Sequence, residues 1–246
     1  MTPRRLALAG LLLLPGLARA AGAAAAPAGT PVMARLLPDA PPMQLRSQPQ
    51  DDPERLVRIH VQRSGAAPGL VLLPSRYGGD TRLTVLPLGD RQVVMAEMDG
   101  VGGTGISQRL GVLIGIDREG QLRVIGIENL ALQEAGTCES EAVLRATLSA
   151  RPGGLALASD FQRRRGPCGF RWRGQPRRER WSETLVWDGA GPLAAAALPA
   201  GAGPVQRAAA AARRQVAGLL ARPVTDLRPL ALERTGLFDL ASPRHG

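Results

Sequence analysis

Lysine is absent from this 246-residue chain, and all 31 basic residues are arginine. Without lysine there is no ammonium of the kind that grips phosphate in a P-loop. Histidine is nearly absent: only His60 and His245 occur, far from any zinc-ligand spacing. The two cysteines, Cys138 and Cys168, form no C-x-x-C pair, which argues against a redox centre. No serine stands in a G-x-S-x-G elbow. Beyond the first twenty residues no stretch is apolar for long enough to cross a bilayer as a helix. These gaps remove the usual motifs for nucleotide, zinc and serine-hydrolase chemistry. The expectation is a binding or structural protein without a cofactor or bound metal. An envelope hydrolase or hydrolase inhibitor is the competing class.

What is present begins with a leader. Arg4 and Arg5 precede the apolar run Leu6 to Leu14, and Ala18-Arg19-Ala20 makes a small-x-small cleavage site. This is the pattern of a secretory signal peptide over residues 1–20, and it predicts an exported protein of the bacterial periplasm or the medium, with no transmembrane anchor. The formal charge of +10 accompanies heavy use of alanine, glycine and proline. Coding bias explains such a composition as well as selection does. An exported protein also seldom meets nucleic acid, so no nucleic-acid partner is expected.

Residues 21–54 are alanine-rich, then proline-rich, with Pro27, Pro31, Pro38, Pro41, Pro42, Pro49 and Pro53. Proline fixes φ and lacks a donor, so an extended or disordered lead-in is expected, with one short turn around Val32 to Leu37. From Leu56 the period becomes two. Val57, Ile59 and Val61 alternate with Arg58, His60 and Gln62. Further strand-like runs flank Gly89-Asp90, Arg118-Glu119-Gly120 and the stretch Arg151 to Gly154, each a hairpin signature. The predicted fold is mainly β. It is an antiparallel meander, sandwich or barrel-like domain over residues 55–193, with a linker and C-terminal helical segment over 194–246. In that segment Val205, Ala208, Ala209, Ala212, Val216, Leu219 and Leu220 form one helical stripe. Gln206, Arg207, Arg213 and Arg214 lie opposite, and Pro204 and Pro223 bound the helix.

Met98 to Ser107 contains Gly100, Gly102 and Gly105 at the spacing of a dinucleotide fingerprint. That site needs a helix after the loop. Here Leu110, Val112, Ile114 and Ile116 alternate as a strand does, and Ile106 stands where a P-loop carries lysine. The segment therefore reads as a glycine-rich connection between strands. Asp99 with Glu97 is a weak calcium candidate lacking EF-hand spacing. Glu139 and Glu141 flank Ser140, but nothing in sequence sets them across a cleft.

Cys138 and Cys168 lie equally far from Gly153, so a hairpin turning there brings them together. In an oxidising compartment a disulfide is expected. One constellation stands out, Phe161 to Trp181. Its candidate anion-binding residues are Arg163, Arg164, Arg165, Arg171, Trp172, Arg173, Arg177 and Arg178. Guanidinium groups bind phosphate and carboxylate bidentately and stack on indole rings. In an exported setting the expected partners are anionic lipid, lipopolysaccharide or acidic glycan.

Overall fold

The computed structural model describes residues 29–49, 56–65, 67–75, 81–135, 140–165 and 176–237. Two antiparallel sheets make up most of it. The first has four strands in sequence order: β1 (Val32–Ala34), β2 (Met43–Pro49), β3 (Leu56–Gln62) and β4 (Gly69–Pro74). The second is an eight-stranded meander: β5 (Arg82–Leu88), β6 (Arg91–Gly103), β7 (Ile106–Ile116), β8 (Leu122–Ala135), β9 (Ser140–Arg151), β10 (Gly154–Arg165), β11 (Arg177–Val186) and β12 (Ala194–Ala195). One helix, α1 (Pro204–Leu219), follows and packs on β8 and β11.

The lead-in expected to be extended or disordered is extended in its described part and carries paired strands. β1 and β2 lie inside residues 21–54, and β2 pairs along β3 with Leu45 opposite Val61. Pro38, Pro41 and Pro42 fall in the connection between these strands, where a missing donor costs the ladder nothing. Met43, Leu45 and Ser47 are buried while Gln44, Arg46 and Gln48 are exposed, an alternation that proline crowding hides from a composition-based reading.

The strands differ in pattern because their two faces differ in surroundings. β3 keeps the half-buried alternation of a sheet with one wet face. β7 from Leu110 to Ile116 and β8 from Leu122 to Asn129 are buried at every residue. One of their faces packs against the four-stranded sheet, with Val112, Ile114 and Val124 meeting Leu45, Ile59 and Val71 in one core. The other lines the inside of the larger sheet, which coils until β5 lies against β9. There Leu86, Val93, Leu113, Ile125, Leu155 and Leu185 form a second core around Trp187. Two buried faces require a near-continuous apolar run, which is how "GVLIGI" reads.

The segment after α1 stitches the sheets together. Val124 N donates to Val224 O at 2.8 Å, and Leu72 N to Thr225 O at 2.7 Å, so one strand of each sheet holds the same short stretch. Among the described strands β5 pairs with β6 alone, and its Pro87, opposite Gln92, has the placement that an edge strand tolerates.

Candidate functional site

The arginine-rich hairpin is set by the turn at Pro152 and Gly153. From it β9 and β10 pair without a break as far as Ser140 opposite Arg165, and β11 continues the sheet with Arg163 opposite Arg177. Alternation then sorts the side chains. Phe161 is buried inside, and Arg163 shares that side, its guanidinium 5.6 Å from the Phe161 ring centroid. Arg177 shares it as well, 3.6 Å from Glu179 Oε1. Arg164 and Arg178 belong to the opposite, outer face. Of the other candidates, Arg165 is placed only through its backbone pairing with Ser140. Arg171, Trp172, Arg173, Cys138, Cys168 and His245 lie outside the described residues, as does Glu139.

On the outer face Asp160 sits opposite Arg145 on one side and Arg180 on the other. Arg178 grips it bidentately, with Nε donating to Oδ1 at 2.9 Å and Nη2 donating to Oδ2, while Arg180 Nε donates to Oδ2 at 3.2 Å. The Arg178 hydrogen bond, aided by Arg180 and opposed by slight burial, holds the Asp160 carboxyl down to about 2. Glu141 lies opposite Arg164. The result is a shallow open cleft of about 330 Å³ bordered by Glu141, Arg145, Asp160, Gln162, Arg164 and Arg178. Four guanidinium groups, counting Arg180, face two carboxylates. Arg145 and Asp160 of this face were missed in the sequence, and Arg180, though within the segment Phe161 to Trp181, was not among the candidates. The hairpin symmetry was the available signal, but its centre lies between Pro152 and Gly153, and a one-residue slip exchanges the two faces.

The inner face holds a second charged group, beneath α1. The helix has no acidic residue in its first turn, no basic residue in its last, and a Gly203 N-cap without a side chain. The sheet supplies what the helix lacks. Glu179 of β11 accepts from Val205 N at 3.1 Å and from Gln206 N at 3.4 Å, placing a carboxylate at the positive end of the helix dipole. At the other end Arg123 of β8, itself buried, donates to Leu220 O and, at 2.7 Å, to Ala190 O, with Asp117 3.5 Å away. Between them Arg213 donates to both oxygens of Glu128, at 2.5 and 3.0 Å, and lies 3.0 Å from Glu183.

This corrects the helical stripe. Gln206 and Arg213, expected on the wet side, are buried along with Ala210, because the helix is flanked by acids from β8 and β11. Burial pushes the Glu128 carboxyl above its ordinary value against the pull of Arg213. For Arg213 burial opposes the charge, but Glu128 and Glu183 outweigh it and raise its pKa. Arg213 Nη1 and Trp181 Nε1 have no hydrogen-bond partner among the described residues. The cavity beside them, about 20 Å³, holds about one water.

The glycine-rich stretch connects two strands. β6 runs to Gly103, Gly105 turns the chain with φ of +81°, and β7 follows where a nucleotide fold needs a helix. A bulge between Asp99 and Gly102 accommodates the extra residue. Asp99 accepts from Arg109 at 2.9 Å, which makes it an ion-pair partner. His60 is exposed on β3 opposite Arg46 and Leu70. Among the described residues no cluster of three metal-ligating side chains occurs, and no helix is long and apolar enough to cross a membrane. Comparison with known protein families, with curated proteins and with solved structures finds no match for this chain.

Proposed function

We propose that this is an exported, non-catalytic envelope protein that binds an anionic ligand across the outer face of β9, β10 and β11. The observation that carries the reading is the convergence of Arg145, Arg164, Arg178 and Arg180 on one shallow face against, among the described residues, Asp160 and Glu141. Asp160 supports it in a second way. By engaging Arg178 and Arg180 it fixes their side chains, which lowers the ordering cost of binding. The face is open and only modestly charged, so it suits a repeating anion that touches several arginines at once. Phosphates of anionic lipid or lipopolysaccharide, or the carboxylates of an acidic glycan, have that character. The leader-like pattern of residues 1–20, outside the described residues, favours such a setting.

The test is co-sedimentation with phosphatidylglycerol vesicles, and binding to dextran sulfate, from 0.05 to about 0.5 M salt. Screening shortens from roughly 10 Å at 0.1 M to 3 Å at 1 M, so affinity should fall steeply along the series. A variant with Arg145→Gln, Arg164→Gln and Arg180→Gln should bind at least about tenfold more weakly at the lowest salt, as expected when several weak contacts act together. Equal binding by variant and parent, with both folded, would refute the assignment of this face.

A further inference from the structure

The opposite end of the eight-stranded sheet carries a second polar site, built where four turns meet. Trp187, just past β11, is its floor. Its indole Nε1 donates to Gly191 O at 2.7 Å, and its ring lies so close over Gly115 that a Cβ there would come within 2.8 Å of it. Arg91 enters from the β5–β6 turn and places its guanidinium 5.5 Å from the Trp187 ring centroid. Its Nε donates to Asp90 Oδ1 at 3.2 Å. Arg118 comes from the β7–β8 turn, where its backbone N donates to Gly189 O at 2.7 Å.

Gly189 brings the two arginines together. Its φ is +84°, and a Cβ on it would lie 3.1 Å from Arg91 Nη1 and 3.2 Å from Arg118 Nε. Two like charges therefore border one point, with Leu88 and Gly153 closing a pocket of about 230 Å³. Asp90 and Asp188 line the same pocket. Asp90 is largely exposed and bound to Arg91 Nε, and Asp188 Oδ1 accepts from Ala190 N at 2.9 Å. Among the described residues the buried Arg91 Nη1 has no hydrogen-bond partner, a desolvated donor that an oxygen would satisfy.

We infer that this turn-end pocket binds a small oxyanion, the carboxylate or phosphate of a compact ligand, between Arg91 and Arg118 above Trp187. Guanidinium forks suit both groups, and the volume is below that of pockets for drug-sized ligands. The stacked, indole-locked Arg91 is fixed in advance, so little ordering is lost on binding. This inference stands apart from the basic face of β9–β11, which uses none of these residues.

The experiment titrates the full chain with inorganic phosphate in one arm and sodium acetate in the other. Ionic strength is held constant with sodium chloride, and the indole N–H resonances are followed by NMR. Saturable movement of the Trp187 signal is expected in at least one arm, and the arm that saturates names the oxyanion. Arg118→Gln, an exposed change that leaves the unfolding midpoint in place, should weaken binding at least tenfold. The variant with Arg145→Gln, Arg164→Gln and Arg180→Gln should bind as the parent does. No saturation in either arm, or unchanged binding in the folded Arg118→Gln protein, would overturn the inference.

Discussion

Replacing Arg213 by methionine tests whether α1 is keyed to the sheet by charge. Methionine keeps most of the volume and removes the cation. Glu128 and Glu183, both nearly buried, then face each other without their common partner. Removing one partner from a buried ion pair costs roughly 3–5 kcal/mol, because the remaining charge stays desolvated. For a chain of this size about 1 kcal/mol shifts the unfolding midpoint by about 2–4 °C, so a fall of roughly 6–20 °C is expected near pH 7. The pH dependence carries the stronger test. In the parent, Glu128 already has a folded-state pKa raised by burial above the ordinary carboxyl value of 4.5. Losing Arg213 raises it further. A raised acid binds its proton more tightly when folded, so the penalty is absent well below 4.5 and grows as pH rises through the folded value. Urea unfolding from pH 4 to 8 should therefore show Arg213→Met losing least at the acid end and most at neutral pH. Adding Glu128→Gln and Glu183→Gln to Arg213→Met should recover most of the loss and flatten the pH profile. A loss below about 1 kcal/mol at pH 7, well under the cost expected for a broken buried pair, would refute the reasoning. So would a loss independent of pH.

Three further outcomes follow from the same geometry. Gly115→Val places branched carbon where the Trp187 ring approaches to 2.8 Å, and overpacking there should cost about 1–3 kcal/mol in urea unfolding and disturb the Trp187 indole resonance. The Asp160 carboxyl should titrate at about 2 by NMR, so the modest stability it contributes is present above its ordinary 3.8 and is lost as pH falls from 3.8 through 2; Arg178→Gln should move that titration back toward 3.8. β9 and β10 end with Ser140 opposite Arg165, two residues after Cys138 and three before Cys168. Protein from an oxidising compartment should accordingly contain no free thiol, and Cys138→Ser should lower stability by about 2–4 kcal/mol.

From Leu56 onward the strands with one wet face were legible. Val57, Ile59 and Val61 announce β3 by alternation alone, and its ends fall at Leu56 and Gln62 as the pattern implies. β7 and β8 were legible too. Leu110, Val112, Ile114 and Ile116 recur at every second position and Arg118-Glu119-Gly120 marks a hairpin turn, although both faces of these strands prove buried. β1 and β2 were not. Their prolines dominate the composition, although Pro38, Pro41 and Pro42 stand between the strands and leave the ladder intact.

The candidate sites were less legible because strand register brings together residues that the chain separates. Asp160 reads as a lone acid in a basic stretch until β9 and β11 set Arg145 and Arg180 beside it. Arg91, Arg118 and Trp187 belong to three turns, and only the coiling of the eight-stranded sheet collects them at one end. The helix makes the same point most sharply. Read alone, it has no cap and no charge complementary to its dipole, and Arg213 falls on its polar side. Every missing group comes from the sheet: Glu179 at its start, Arg123 at its end, Glu128 and Glu183 at its middle. A helix capped from within is stabilised wherever it docks. One capped from the sheet gains those contacts in a single orientation, so the features that make α1 look weak in sequence are the ones that fix its position in the fold.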